Sequence, residues 1–392
     1  MAYSSVMNIL FTNFLTSPGI DGHTIYIATL ARALSARHTI TVAAPAGSGL
    51  YRRVGEIPGV QRVAQSFPNR IHHMLAAARQ FRRLINDNQF DVIHVNGSAD
   101  HRLAIVATRG MGASRPRIIF TKHNDHFSSR FGSALRARMG TDYVIGVCEF
   151  VHRQLEKSPF AICPIDTVYN GIDTQVFAPR PREDAFALAE QWAGRKLAPG
   201  TLILGSNAGT GSYKGWQDMI TAVGKLADPI RRRVHIFLAG ELPTRAQRQF
   251  VTDAGMTEHV TFVGRLDDVR PLVACFDIGF VLSYRVETIS FACREMMAMG
   301  IPVILTDHGG LPENVTNGRE GWIVPKRDTD AIAARVLDVL NNRSLLSLMG
   351  IAARERSVRQ FGVEQFILNT EAVYRKAVAR ERGARVTTLR EG

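Results

Sequence analysis

Short apolar runs of strand length recur along the whole chain, each followed by a turn and then an amphipathic stretch. In the first half this pattern predicts strands at Asn8–Phe14, Thr39–Ala44, Asp91–Asn96, Arg117–Thr121 and Tyr143–Val147. In the second half it predicts Leu202–Ser206, Val234–Ala239, Val260–Val263, Ile278–Leu282, Pro302–Leu305 and Trp322–Val324. Between strands the periodicity is helical: Ile27, Leu30, Ala31 and Leu34 share one face. Strands alternating with helices demand a parallel sheet covered on both sides, so the fold class is doubly wound α/β. At 392 residues the chain exceeds one such unit and predicts two. The join falls between the turn at Asn170–Asp173 and Thr201, where Pro179 and Pro181 interrupt the pattern. Beyond Asp328 the chain turns strongly helical, and the basic tail after Arg380 is expected to fray. Ligands of open α/β sheets bind outside the carboxyl ends of the strands, so two units predict a cleft between two such ends.

Charge narrows the partners. The net charge is +13, and residues 1–170 hold 19 Lys/Arg against 10 Asp/Glu while the remainder holds 29 against 25. Basic residues gather at Arg70–Arg83, at Arg115 and Arg117, and at Arg130–Arg138. A one-sided positive field suits anionic lipid headgroups, an acidic glycan or nucleic acid. Nucleic acid is set aside, because no binding-module motif is present and aromatics do not interleave with the arginines. In the Arg70–Arg83 segment Met74, Leu75 and Phe81 accompany the charge, which fits either a membrane-surface helix or an ordinary amphipathic helix. No apolar run approaches the roughly 20 residues of a membrane span. The start MAYSSVMNILF lacks the layout of a secretion signal, which predicts a cytoplasmic protein. Cys148, Cys163, Cys275 and Cys293 form no CxxC pair or metal spacing and read as reduced, buried thiols.

Glu287 and Glu295 carry the sharpest functional signal. They lie between the strand-like runs Asp277–Ser283 and Ile301–Leu305, and the residues from Ser290 to Met299 read as a helix. One carboxylate in the strand-to-helix loop and another two turns on can address two parts of an elongated ligand, with helix N–H groups between them for an anion. A solvated helical face has the same spacing. Lys214, in NAGTGSYKGW, follows the first strand of the second half, where an ammonium could neutralise a diphosphate. Gly215 stands where a P-loop would need Ser or Thr. Gly19 and Gly22 follow the first strand and open the first helix, a position for a phosphate or simply a flexible turn. His123 ends a strand in TKHND and could exchange a proton or bind a sugar hydroxyl, with His94 and His101 as competitors. Gly309–Glu313 follow another strand, with Glu313 expected to begin a short helix.

In order and spacing these elements resemble the retaining GT-B nucleotide-sugar glycosyltransferases, of the family 4-like, group 1 kind. The resemblance runs from about Asn8 to Tyr374. It rests on the loop at Asp21-Gly22, FDVIHV (Phe90–Val95), TKHN (Thr121–Asn124), TDYVIGVCE (Thr141–Glu149), YNGID (Tyr169–Asp173) and YKGW (Tyr213–Trp216). It continues with the Glu287/Glu295 pair, MAMGIPVI (Met297–Ile304), GGLPE (Gly309–Glu313) and GREGWIVP (Gly318–Pro325). The resemblance implies two Rossmann-like doubly wound domains facing each other across a cleft. They would be an acceptor-side domain at 1–178, a nucleotide-sugar domain at 179–358, and a helix with Phe361, Phe366 and Tyr374 in 359–392 that crosses back. It implies that Glu287 and His123 contact the donor sugar, that Glu295 accepts from the ribose hydroxyls, and that Lys214 binds the diphosphate. The backbone at Thr288, Ile289 and Ser290 and the Gly22 loop would assist, without metal or other cofactor. Departures are visible. Gly209 stands where the family places an arginine, which makes Arg265 or Arg285 a candidate replacement. Thr288-Ile289-Ser290 replaces a glycine-bearing stretch, and Asp21 replaces a loop glycine.

The expected function is therefore retaining transfer of a sugar, from a UDP-sugar rather than a GDP-sugar, to a surface-glycan acceptor. Lipopolysaccharide, capsule or a lipid-linked oligosaccharide would serve, with peripheral contact at the anionic cytoplasmic face of the inner membrane. The rivals are a non-catalytic nucleotide- or glycan-binding subunit and a nucleotide-sugar epimerase or hydrolase on the same fold.

Overall fold

The apolar runs become strands of two all-parallel sheets in the computed structural model, which describes residues 6–124, 126, 130–181 and 184–380. The chain divides into a unit ending at Gly171 that also takes the residues from Val363 on, and a unit from Ile172 to Gly362.

In the first unit the sheet holds β1 (Asn8–Thr12), β2 (Thr39–Ala44), β3 (Val60–Ala64), β4 (Val92–Val95), β5 (Arg117–Lys122), β6 (Tyr143–Gly146) and β7 (Ile165–Thr167). Their order is β3-β2-β1-β4-β5-β6-β7. Chain direction reverses its lateral course between β1 and β4, so the loops leaving those strands part and open a crevice at their carboxyl ends. The inner strands β1, β4 and β6 are almost wholly buried, as continuous apolar runs require when helices cover both faces. The edge strands β3 and β7 were not apparent from the sequence. Each is half-exposed, and β3 is VQRVA, so an edge position replaces the apolar signature with a mixed one.

The helix Val363–Ala379 completes this unit's core by burying Phe366, Val373 and Tyr374 beside Ile9, Phe11 and Ile119. Its Glu371, nearly inaccessible, meets Arg37 and His38 at 2.9 and 3.3 Å. Phe361 belongs instead to the preceding helix, Ser344–Phe361, so the expected single late helix is two, and only the second lies in the first unit. The tail beyond Arg380 lies outside the described residues.

The second sheet holds β8 (Leu202–Ser206), β9 (Val234–Ala239), β10 (Val260–Gly264), β11 (Ile278–Val281), β12 (Val303–Thr306) and β13 (Gly321–Val324). Their order, β10-β9-β8-β11-β12-β13, puts the switch between β8 and β11. The loops after those two strands carry Lys214 and Glu287. Trp216 is the hub beneath them, 1% exposed and edge-on to Phe262 at 5.4 Å.

The basic helix Ile71–Asn88 bears on the two readings given for this segment, a membrane-surface helix or an ordinary amphipathic one. Phe81 is fully buried and faces Phe67, with Ala77, Ala78 and Ile85 also buried, so Phe81 belongs to the core rather than to a membrane face. Arg82 on the same helix is spent on the carbonyls of Ala107 and Arg109. Among the described residues no helix is long and apolar enough to cross a membrane.

Candidate functional site

In the second unit the loop after β8 is pinned from below. The Trp216 indole donates to the Thr210 carbonyl at 2.9 Å, and the chain then makes a short 3-10 turn over Ser212–Lys214. Gly215 ends that turn at φ +70°, where an added Cβ would lie 2.0 Å from the Leu282 carbonyl oxygen at the end of β11. Only glycine lets the two loops approach so closely. The approach places the Lys214 ammonium 2.9 Å from Glu287 Oε2. The same oxygen accepts from the Ser283 hydroxyl at 3.0 Å, and Glu287 is 6% exposed.

The Glu287 backbone is held as firmly as its side chain. Its carbonyl accepts from the Gly310 N–H, and a Cβ on Gly309 (φ +61°) would fall 1.8 Å from that oxygen. Val286, one residue before, sits at φ +47°. A β-branched residue in the left-handed region costs about 1–3 kcal/mol and persists only where neighbours fix it. Glu313 falls inside the short 3-10 helix Leu311–Asn314 rather than at its start.

Glu295 lies on the helix Phe291–Ala298, two residues shorter than the predicted Ser290–Met299 because Ser290 is the N-cap, accepting from Cys293 N at 3.2 Å, and Met299 the C-cap. Thr288, Ile289 and Ser290 are all buried in the approach to this helix. Asn207, on the loop that also carries Lys214, donates to Glu295 Oε2 at 2.6 Å. Among the described residues the Asn207 Oδ1 atom is buried with no hydrogen-bond partner, an acceptor with capacity for a donor. Glu295 keeps some solvent contact, yet its carboxyl is sunk among neighbours. Burial pushes it up to about 7, and the Asn207 hydrogen bond opposes that rise. Asn207 and Ser283 were missed in the sequence; the only signal was their place at the ends of strands.

Arg265 is not part of this cluster. It is mostly exposed at the end of β10 and pairs with Glu241, itself mostly exposed. Among the described residues no hydrogen bond joins it to Lys214, Glu287 or Glu295. Gly209 has open space at its Cβ position.

The first unit gathers a second set at the carboxyl ends of β1, β4 and β5. Gly22 opens the helix Gly22–Leu34, and Asp21 caps it by accepting from Thr24 N at 2.8 Å. The Asp21 carboxylate is thereby occupied with its own helix. His23 lies against His123 with the rings tilted and their centroids 4.1 Å apart, and Tyr26 meets His123 edge-on at 4.6 Å. His123 Nε2 lies 2.9 Å from Asn96 Oδ1. Burial lowers His123 well below the ordinary imidazole value, helped by His23, His94 and Lys122, and lowers His23 too. Both rings are neutral at neutral pH. His94 and His101 are completely buried: His94 bridges Tyr374 and Thr121 at 2.6 Å each, and His101 stacks on Phe120. His123 is the one of the three that keeps some exposure.

Among the described residues no group of three or more His, Cys, Asp or Glu is placed to hold a metal ion.

Two parallel doubly wound sheets, each with polar residues at its switch point, are the architecture of GT-B glycosyltransferases. The Glycosyltransferase Family 4 model matches residues 20–176 and the Glycosyl transferases group 1 model residues 199–342, together well over half of the chain. The chain belongs to this family of GT-B glycosyltransferases, and it is a transferase enzyme. It is 26% identical over 308 residues to the N-acetyl-alpha-D-glucosaminyl L-malate synthase of Bacillus anthracis, covering 76% of this chain and 78% of that one. It is 26% identical over 294 residues to a GDP-mannose-dependent alpha-(1-6)-phosphatidylinositol monomannoside mannosyltransferase of Mycobacterium tuberculosis, covering 70% and 73%. Anabaena Alr3699/HepE, solved in complex with UDP, shares the fold at TM-score 0.79 and 16% identity, covering 94% of this chain and 100% of that one.

Proposed function

We propose that the protein transfers a sugar, with retention of configuration, from a UDP-sugar to a surface-glycan or lipid-linked acceptor. The observation that carries the donor half is the cluster at the β8/β11 switch point: Lys214 on Glu287 at 2.9 Å, with Asn207 on the loop of Lys214 and bonded to Glu295, on the helix that follows the loop of Glu287. A nucleoside diphosphate sugar offers what each group lacks. Its ribose hydroxyls supply donors to Glu295 and Asn207 Oδ1. Its diphosphate takes the Lys214 ammonium, assisted by backbone at Thr288, Ile289 and Ser290, which frees Glu287 to accept from sugar hydroxyls. His123, a neutral imidazole, offers a hydrogen bond to a sugar hydroxyl.

In the reaction the anomeric carbon's bond to the β-phosphate oxygen breaks, and a bond to the acceptor oxygen forms on the same face. The acceptor proton passes to the departing phosphate, whose charge Lys214 offsets. No cofactor enters this scheme. A GDP-sugar is the second reading, favoured by the GDP-mannose-dependent relative.

The acceptor half rests on a surface of the first unit. On the helix Arg130–Met139, Phe131, Leu135 and Met139 are 80%, 49% and 48% exposed at four-residue spacing, hence on one face. Arg130, Arg138 and Lys157 line the adjoining hollow of about 340 Å³, with Ile162. Glu156 also lines it, but three cations outnumber that carboxylate, and apolar side chains among cations suit an anionic bilayer, which would carry a lipid-linked acceptor on the cytoplasmic side.

The test is a panel of UDP-, GDP- and ADP-sugars scored by thermal stabilisation, followed by transfer to membrane extract by the wild type and by alanine variants of Lys214, His123, Glu287 and Glu295. Stabilisation by UDP-sugars and loss of transfer in the variants are expected. Normal turnover in all four variants would refute the site, and donor consumption without an acceptor would favour a hydrolase or epimerase.

A further inference from the structure

The unit from Ile172 to Gly362 has a second hollow, at the end of its sheet opposite to Lys214 and Glu287. It lies at the amino ends of β8, β9 and β10, where Thr201, Val234 and His259 stand at or beside the strand starts, and it holds about 560 Å³. Sites for small molecules commonly enclose roughly 300–1,000 Å³. The five residues of β8 separate it from the loop of Asn207 and Lys214, roughly 16 Å of strand.

The rim is cationic. On the short helix Asp228–Arg231, Asp228 accepts from Arg231 at 2.6 Å through one oxygen and from Arg232 at 2.7 Å through the other. One carboxylate thus holds two guanidiniums side by side, each with five N–H donors. Arg231 also donates to the Gly224 carbonyl at 3.2 Å, yet its Nε is buried with no hydrogen-bond partner among the described residues. Arg195 reaches the Glu258 carbonyl and, among the described residues, forms no ion pair with a carboxylate. Glu258 lines the hollow as well, so three guanidiniums meet two carboxylates.

Two imidazoles complete the lining. His235, on β9, is 2% exposed. Its Nε2 lies 2.9 Å from the Thr261 hydroxyl, and its Nδ1 is buried with no hydrogen-bond partner among the described residues. Buried polar atoms are ordinarily paired, so an orphan in the wall of a hollow points to a ligand atom that completes it. His259 Nδ1 lies 3.1 Å from the Val234 carbonyl. A carbonyl only accepts, so that nitrogen carries the hydrogen and Nε2 keeps a lone pair. Burial lowers His235 to about 3, with Arg195 and His259 adding to the fall, and burial lowers His259 too. At pH 7.5 both rings are therefore predominantly neutral hydrogen-bonding groups.

We propose that this hollow binds a soluble phosphate monoester of a sugar or polyol, its phosphate on Arg195, Arg231 and Arg232 and its hydroxyls on His235 and His259. Guanidinium forks match phosphate oxygens in pairs. A ligand hydroxyl donates to His259 Nε2. His235 Nδ1 donates or accepts as the Thr261 hydroxyl turns, and a hydroxyl serves in either case. The site shares no residue with the Lys214, Glu287 and Glu295 cluster, so it stands whether or not that cluster holds a sugar nucleotide.

The experiment is nitrogen NMR of the full chain labelled in histidine at pH 7.5, titrated with ribose 5-phosphate. The two signals are assigned by their loss in His235→Gln and His259→Gln. Saturable movement of both is expected while His94 and His101, in the other unit, stay still, and added UDP-glucose should not reverse it. The double variant Arg195→Ala/Arg232→Ala removes two exposed side chains and should weaken binding at least roughly tenfold. Inorganic phosphate should bind more weakly than the ester, and ribose without phosphate should move neither signal. A wild-type His259 signal that ribose 5-phosphate leaves unmoved overturns the proposal, whether or not any variant at the buried His235 folds. Equal affinity in the double variant, or displacement by UDP-glucose, overturns it too. Phosphate binding as tightly as the ester would remove the hydroxyl contacts, and with them the ligand class.

Discussion

With UDP-glucose as the probe of the proposed donor site, lowering the pH from 8 to 6 should weaken binding about tenfold through Glu295. Burial raises this carboxyl to about 7 and the Asn207 hydrogen bond only partly offsets it. In the proposed complex the ionised carboxylate would accept from both ribose hydroxyls; protonated, it would lose acceptor capacity and gain a donor that the ribose does not need. A group titrating near 7 is about nine-tenths ionised at pH 8 and about one-tenth at pH 6. If only the ionised form binds, affinity falls by about a factor of ten, or about 1.4 kcal/mol. Burial lowers both His123 and His23, His123 well below the ordinary imidazole value, which moves their titration away from the upper part of this window. The sign reverses for the empty protein. Glu295 sits at about 7 in the fold against an ordinary glutamate value of 4.5, so the native state binds the extra proton between those values. Its contribution to stability therefore falls as pH rises through that interval. Calorimetric titration with UDP-glucose is the assay, because its esterified diphosphate does not titrate here whereas UDP's terminal phosphate does. Glu295→Gln should bind weakly at every pH and show no slope. A flat wild-type profile, or a slope that survives in Glu295→Gln, would refute the assignment of Glu295 to the ribose.

Three further outcomes follow from the same geometry. Lys214→Ala should lower transfer roughly 10²- to 10³-fold, the usual cost of removing a donor aimed at developing charge; near-normal turnover would place the diphosphate elsewhere. Gly309→Ala forces a side chain onto φ +61° and onto the Glu287 carbonyl. It should destabilise the fold by about 1–3 kcal/mol in urea melts and reduce transfer, and an unchanged midpoint would show that the loop relaxes freely. The double variant Phe131→Ser/Leu135→Ser should lose sedimentation with vesicles rich in anionic phospholipid while keeping its melting temperature; unchanged sedimentation would remove this helix as the bilayer contact.

The sequence by itself determined the fold class, because buried parallel strands must be apolar along their length and helices must show a 3.6-residue period. It located all six strands of the second sheet to within two residues and five of the seven in the first. It also put Lys214, Glu287 and Glu295 after the right strands, because in a doubly wound sheet the order of motifs fixes the end at which they emerge. It did not show β3 or β7, whose edge positions leave them mixed in polarity. Partnerships were decided only in the tertiary structure. Glu287 joins Lys214 across 73 residues because Gly215 lets two loops touch, and Asn96 meets His123 across 27 because β4 and β5 are neighbours. The same packing sent Phe81 into the core and left Phe131 in solvent, and it gave Arg265 to Glu241. Periodicity records which face of an element is apolar, whereas which side chains meet depends on strand order and close approach, and these arise from distant parts of the chain together.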